Sequence, residues 1–207
     1  MKHLSDAQIA EILRPYGVSA NVGLCNRVRT YIAILLKWNA TVSLTAVIEP
    51  VEICRFHFGE SIFAASAVPM REGRLADVGS GAGFPGLPLR MASPAITLTL
   101  IESNARKAAF LSEVVRSLEL KGVEVFRGRM EDHKPDKPYD WVTARALGQH
   151  DDLLRWAKGN LTASGKVVLW VGEDDANRIS QTPEWEWRPP ILIPGSKRRF
   201  LLVGSTK

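Results

Sequence analysis

The chain is poor in the residues that build covalent or metal staples. Its 207 residues hold two cysteines, Cys25 and Cys54, and four histidines. That is too few for a disulfide framework or a cysteine-built zinc site, and no histidine pair has metal-ligand spacing, so no metal site is expected. No apolar run reaches the roughly 20 residues of a membrane span. The opening Met1-Lys2-His3-Leu4-Ser5-Asp6 lacks a signal-peptide pattern. Repeats and low-complexity segments are absent as well. These absences predict a soluble, cytoplasmic protein with reduced thiols and no membrane partner.

What is present is globular. Hydrophobic residues make up 45% of the chain and charged residues 24%, far from the balance of a disordered sequence. Lys+Arg 27 against Asp+Glu 22 gives a net charge of +5, with pI about 9.4. A surplus of this size is compatible with a polyanionic partner.

The pattern changes near residue 72, and two regions are expected, an N-terminal helical extension (1–72) and a second domain (73–207). In the first, Ser5-x-x-Gln8 reads as a capping box for a helix that Pro15 and Gly17 stop. Leu24, Val28, Ile32, Leu35 and Leu36 mark one face of a longer helix ending near Trp38-Asn39. Glu49-Pro50 opens a third helical stretch reaching Ala67. In the second region, strands are expected at 74–78, 95–101, 123–126, 139–143 and 165–171, alternating with helices of crossover length. The continuous β-branched run Ala95-Ile-Thr-Leu-Thr-Leu-Ile101 suits a strand buried on both faces. Such alternation predicts a mostly parallel sheet. The tail (Trp185-Glu-Trp187, Ile191-Leu-Ile193 and Arg199 to Val203) runs without a helix. It reads as an antiparallel hairpin on the sheet's edge, one arm broken by Pro189-Pro190. The fold class is therefore α/β and Rossmann-like, with seven strands and a C-terminal antiparallel hairpin.

The chemistry begins at Asp77-Val78-Gly79-Ser80-Gly81-Ala82-Gly83-Phe84-Pro85-Gly86. Glycines at 79, 81 and 83 turn the chain sharply out of a strand and let backbone approach a ligand. The helix that follows presents unpaired N–H groups. About 20 residues further on, Glu102 ends the next strand, where a carboxylate can accept both hydroxyl protons of a ribose. Together these predict a nucleoside cofactor over the C-terminal ends of two parallel strands.

Gly81-x-Gly83-x-x-Gly86 also satisfies the dinucleotide fingerprint, so an NAD(P)-dependent enzyme is the alternative. Three features weigh against it. Asp77 would sit near the pyrophosphate's negative charge, and it better suits a cofactor with positive charge, such as the amino-acid portion of S-adenosylmethionine. No second domain follows to hold a nicotinamide substrate. The expected antiparallel hairpin is foreign to the dinucleotide fold, which is parallel to its far edge. A further alternative is a catalytically silent RNA-binding module on the same fold.

With Leu100-Ile-Glu-Ser103, the glycine segment resembles that of the RsmG (GidB) family, class I S-adenosylmethionine-dependent methyltransferases of small-subunit ribosomal RNA. The resemblance extends over most of the chain. Lys37-Trp38-Asn39 with Leu44-Thr45 is similar to the family's helix-end motif, and His57-x-x-Glu60-Ser61 to its His-x-x-Asp-Ser. Arg129-Met130-Glu131 and Thr143-Ala144-Arg145-Ala146 stand where the family closes its cofactor pocket. Ser43 replaces a usual Asn, and Glu60 a usual Asp.

The resemblance implies that Gly79 and Phe84 contact the cofactor from the loop, that Met130 and Glu131 flank the adenine, and that Arg145 lines the site. With Asp77, Gly81, Gly83 and Glu102 these form the expected cofactor set. It also implies N7 of a guanosine in 16S ribosomal RNA as the methyl acceptor, with naked RNA or the small subunit as partner and no DNA. The segment from Thr143 to His150 carries neither the cysteine commonly used for base-carbon methylation nor the Asn/Asp-Pro-Pro-aromatic turn used for exocyclic amines. N7 needs neither, because its lone pair is already exposed on the Hoogsteen edge. No general base is therefore assigned, and His57 is read as a basic-face or structural histidine. Arg55, His57, Arg106, Lys107, Lys197, Arg198 and Arg199 are the candidate RNA contacts.

Overall fold

The computed structural model describes residues 4–146, 148 and 150–207. Its frame is one eight-stranded sheet with the order β3-β2-β1-β4-β5-β8-β6, β7 also pairing β8. The strands are β1 (Glu72–Val78), β2 (Ala95–Glu102), β3 (Val123–Arg127), β4 (Tyr139–Arg145), β5 (Leu161–Gly172), β6 (Trp185–Trp187), β7 (Ile191–Leu192) and β8 (Arg199–Thr206). β1 to β5 are parallel, and β8 enters antiparallel to β5. Helices α5 (Gly86–Ala92), α6 (Ala105–Ser117), α7 (His150–Asn160) and α8 (Glu173–Ile179) make the crossovers and the link into β6.

The hairpin differs from the expected seven-stranded sheet by one strand. Trp185–Trp187 pairs with the end of β8, and Ile191–Leu192 pairs with its beginning. Between them Pro189 and Pro190 have no N–H to give, so one arm becomes two short strands on the same edge of β8.

The N-terminal region is helical, as its apolar periodicity predicts. α1 (Asp6–Leu13) starts with the capping box, Ser5 accepting from the Gln8 N–H and the Gln8 side chain accepting from the Ser5 N–H. A 3-10 turn and Gly17 in the left-handed region end it. α2 (Val22–Asn39) is capped by Asn21 and buries Val28, Tyr31, Ile32 and Leu35. The third stretch departs from expectation. It is not one α-helix but α3 (Pro50–Glu52), a π-helical segment Ile53–Gly59, and α4 (Glu60–Ala67). The π turn buries Ile53, Cys54, Phe58 and Gly59, and Gly59 has no Cβ to strike the Tyr16 ring packed on it.

These helices cover one face of the sheet, sharing a core with α5, α6 and the β1 and β2 side chains Leu75, Leu98 and Leu100. The other face, with Ala76, Val142, Val167 and Leu169, is covered by Leu153, Leu154 and Ala157 of α7 and by Ala176 and Ile179 of α8. The glycine loop after β1 thus emerges beneath α2. Tyr31 of α2 donates to the Ala82 carbonyl (2.6 Å) and stacks on Phe84 (centroids 5.3 Å apart, 9° between planes).

Gly83 shows how tight this junction is. Its φ is +83°, and a Cβ there would lie against Tyr31 Oη and 2.6 Å from Leu87 Cδ1. Gly83→Ala is expected to destabilise the protein by about 1–3 kcal/mol, since strain and overlap act together. Urea unfolding of the variant and parent measures it, and an unchanged midpoint would mean the loop is not clamped by α2.

Candidate active site

Two cavities open at the C-terminal ends of the strands, the first of them at the glycine loop. They lie on either side of the point where β2 and β3 run one way from β1 while β4 and β5 run the other, the usual place for a ligand in an open α/β sheet. The first, about 220 Å³, is lined by Val78 and Gly79 after β1, Ile101 and Ser103 around the end of β2, and Gly128 to Glu131 after β3. It gathers three expected cofactor residues, Gly79, Met130 and Glu131. Met130 offers a flexible apolar surface and Glu131 a carboxylate acceptor.

The second cavity, about 450 Å³, lies past β4 and β5. Arg145, Trp170, His150 and Arg199 are among its walls, and Glu60 reaches it from α4. Glu60 is 1% exposed and joins two cations. Arg145 Nη2 donates to Oε2 (3.0 Å), and Arg199 Nε donates to Oε1 (3.0 Å). Arg145 also donates to the Phe56 carbonyl (3.0 Å), and Trp170 Nε1 donates to the Glu60 carbonyl (2.7 Å). Burial pushes the Glu60 carboxyl up while both guanidiniums pull it back. The Arg199 guanidinium also lies 5.2 Å from the Phe56 ring centroid. Leu147 and Gln149, in the segment after β4 where the crevice was expected, lie outside the described residues.

Between the cavities, backbone donors of the loop are held by two acids. Glu102 Oε2 accepts from the Gly81 N–H (2.8 Å), and Oε1 accepts from the Asn104 N–H (2.7 Å). Gly81 has φ +56°, and above it a Cβ would meet only the Gly79 carbonyl at 3.7 Å. This cradle is open. Asp77 is different. Expected as a ligand contact, it has no exposed surface, and both its oxygens are used within the protein. Thr143 Oγ1 donates to Oδ1 (2.9 Å), and the Gly86 N–H donates to Oδ2 (3.2 Å). Burial pushes its carboxyl up to about 7, against the hydrogen bonds from Thr143, Gly86 and Ser80. Asp77 therefore acts on the loop and on the local charge rather than by touch.

The remaining expected residues sort by their neighbours. Gly83 is packed against Tyr31, Leu87 and Leu111, so its missing Cβ serves the protein interior. Phe84 is stacked between Tyr31 and His57, with the Phe58 ring edge-on.

His57, expected among the RNA contacts or as a structural histidine, packs against the loop. Its Nε2 is 2.7 Å from Thr45 Oγ1, its ring lies 4.7 Å from Phe84, and burial and then Arg145 lower its pKa to about 4. It is a neutral buttress of the loop. Arg199 is likewise tied to Glu60 and faces the crevice, where the sequence suggested a free turn charge. Arg106, Lys197 and Arg198 are exposed. Arg55 and Arg198 have Glu52 and Glu173 beside them. Sequence reasoning quoted Glu60 and Thr143 only within motifs, without the contacts they make, and missed Tyr31 as a site builder. The available signals were the motif His57-x-x-Glu60-Ser61 and the placement of Thr143 at the end of the fourth expected strand.

A profile of the family described as "GidB: rRNA small subunit methyltransferase G" matches residues 24–186. Proteins named ribosomal RNA small subunit methyltransferase G are similar over nearly the whole chain. The one from Pseudomonas aeruginosa (strain LESB58) is 37% identical over 196 residues, covering 90% of this chain and 89% of its own. That of Hydrogenovibrio crunogenus is 33% identical over 184 residues, covering 89% and 84%. Among solved structures, the ribosomal protein L11 methylase of Lactobacillus delbrueckii subsp. bulgaricus aligns with a TM-score of 0.62 at 14% identity, over 74% of this chain and 79% of that one. The glycopeptide N-methyltransferase MtfA complexed with S-adenosyl-L-methionine aligns with a TM-score of 0.62 at 10% identity, over 73% and 94%. These structures share the fold of this chain.

The raised Asp77 carboxyl has a consequence for stability. An acid raised in the folded state stabilises the fold fully below its unfolded pKa of about 4, and that contribution is lost as pH rises through about 7. Asp77→Asn keeps an acceptor for the Gly86 N–H and does not titrate. Relative to the parent, the variant is expected to gain stability by up to about 1.4 kcal/mol per pH unit between roughly pH 4 and 7, and nothing further above. Urea titrations across that range test this. A constant difference would place the Asp77 pKa in the ordinary range.

Proposed function

The chain belongs to the rRNA small subunit methyltransferase G family, and from that premise we propose that it transfers a methyl group from S-adenosylmethionine to N7 of a guanosine in 16S ribosomal RNA. The observation that carries the reading is a cavity at the glycine loop after β1, suited to a nucleoside, with a cationic crevice past β4 and β5 at the same end of the sheet, suited to the acceptor base. Family membership leaves the NAD(P)-dependent alternative without support. An activity on ribosomal RNA supports a cytoplasmic location, and among the described residues no helix is long and apolar enough to cross a membrane.

The residues present fit the cofactor. The open backbone at Gly81 gives room for close approach. Glu102 uses one lone pair on each oxygen for the protein and keeps others for ribose hydroxyls. Gly79, Met130 and Glu131 line the adenine side. Asp77, buried below the loop, supplies negative potential toward a cationic ligand when ionised. When bound, the cofactor supplies an electrophilic methyl carbon on a sulfonium.

The chain's own task is then positioning. N7 carries a lone pair and no proton, so no side chain has to act as base. His57, neutral and held by Thr45 and Phe84, is placed as a support for the loop and takes no proton in this scheme. The crevice past β4 takes the base. There Glu60 fixes Arg145 and Arg199 from below, so that two guanidiniums are oriented before the RNA arrives. Asp175 also lines the crevice but is paired with Arg178, so the Glu60 cluster, one carboxylate against two guanidiniums, keeps a cationic character toward a nucleotide phosphate. Arg106, Lys107 and Lys197 on the same end of the sheet, with Arg55 and Arg198 beside their carboxylates, extend that field to the surrounding RNA.

The test is transfer of labelled methyl to 16S ribosomal RNA and mapping of the product by mass spectrometry. Label at guanosine N7 is expected. Label on another atom or in protein, or binding of RNA without transfer, would overturn the reading. Glu102→Ala is expected to weaken S-adenosylmethionine binding by about 1–3 kcal/mol in calorimetry, the scale of lost charge-assisted hydrogen bonds. Normal affinity in that variant would remove Glu102 from the cofactor site.

A further inference from the structure

A third concave region lies at the opposite end of the strands, where β1 and β2 begin. It is bounded by the segment leading into α2, by α4 and by the end of α5, with a volume of about 760 Å³. Leu24, Ile62 and Met91 contribute apolar surface, and no acidic residue lines it. Its two serine hydroxyls with assigned bonds are used internally, Ser66 Oγ donating to the Tyr16 carbonyl (3.0 Å) and Ser93 Oγ to the Met70 carbonyl (3.1 Å). The charged groups on its wall are Arg27 from α2 and Arg71 just before β1, both exposed.

Arg90 of α5 adds a third cation close by. Its Nη2 donates to the Lys121 carbonyl (2.7 Å), and its Nε is buried with no partner. Burial, and then the charge of Arg27, hold the Arg90 guanidinium below its ordinary pKa. Among the described residues none of these three arginines is in an ion pair. Arg74, Arg145, Arg178 and Arg199 each have a carboxylate. Like charges gathered around a groove without a counter-ion raise its affinity for an anion.

We propose that this groove binds the phosphodiester backbone of the RNA substrate at a second point, remote from the methyl-transfer site. The seven residues of β1, at about 3.3 Å each, separate the two by roughly 20 Å. The inference rests on the rRNA methyltransferase reading above. RNA backbone is favoured over a small anion because both rim arginines face solvent at the mouth of a large concave region rather than converging in a closed pocket. Its apolar floor offers little to read a base edge, so the contact would position the RNA without selecting its sequence.

The test uses the full chain with two double variants, R27A/R71A and R27K/R71K, and a labelled 16S ribosomal RNA fragment containing the modified guanosine. Both variants are expected to unfold at the parent's temperature, as the side chains are exposed. For R27A/R71A, the slope of log affinity against log salt is expected to flatten by about 1.4–1.8, the loss of two phosphate contacts on single-stranded or duplex RNA. The KM for RNA should rise several-fold, while kcat and the S-adenosylmethionine affinity stay at the parent's values. R27K/R71K should restore the slope. An unchanged slope and KM in an active background would overturn the groove and leave the function standing. Inorganic phosphate binding that R27A/R71A abolishes, with the RNA slope unchanged, would mark a small-anion site and also overturn it. A parent that neither binds RNA nor transfers methyl would overturn the function and this proposal together.

Discussion

One buried carboxylate ties the functional end of this molecule together. Asp77 ends β1, and its side chain has no access to water. It spans the start of α5 through the Gly86 N–H and β4 through the Thr143 hydroxyl. A charge in that position is costly unless its hydrogen bonds are all made. Satisfying it fixes where the loop leaves the sheet and how β4 stands beside β1. Glu102 then holds the Gly81 N–H from β2, and Tyr31 holds the Ala82 carbonyl from α2. A glycine-rich segment that would be loose in isolation is thereby gripped from three elements, with the backbone at Gly81 left open.

The N-terminal helices are part of that grip. Tyr31, Phe58 and His57 surround Phe84, and the π turn carries both Phe58 and His57. Wider turns of this kind displace side chains from the faces a regular helix would give them, and they recur at functional sites. Here the displacement is followed by Glu60, buried at the first position of α4, where it meets arginines from β4 and β8. The same short stretch therefore buttresses the glycine loop and organises the arginines of the crevice past β4.

Much of this was legible in the residues. Alternating strand and helix signals gave the parallel sheet, and the capping box, Pro15 and Gly17 gave the limits of the first helix. The glycine segment and Glu102, paired by spacing alone, do meet in the fold, the carboxylate accepting from the Gly81 N–H. What stayed hidden depended on tertiary context. A π turn has no sequence signature distinct from an α-helix, so Ile53–Gly59 reads as ordinary helix. Asp77 looks like a ligand contact because spacing places it at the strand end, while its burial depends on Thr143, 66 residues away. His57 and Arg199 look like surface cations for the same reason. Their partners, Thr45 with Phe84 in one case and Glu60 in the other, become visible only once the chain is folded.

The contact between Glu60 and Arg199 also bears on the order in which the site can be made. Its two ends are separated by 139 residues. The cofactor loop draws its contacts from Tyr31, Asp77 and Glu102, all within the first half of the sequence apart from Thr143. A chain synthesised from its N-terminus can therefore begin to assemble the nucleoside side while β8 has yet to be translated. The acceptor crevice must wait for β8 to slot between β5 and β6, closing one of the longest loops in the fold. During biosynthesis, competence to hold a small ligand would precede competence to orient a nucleic acid.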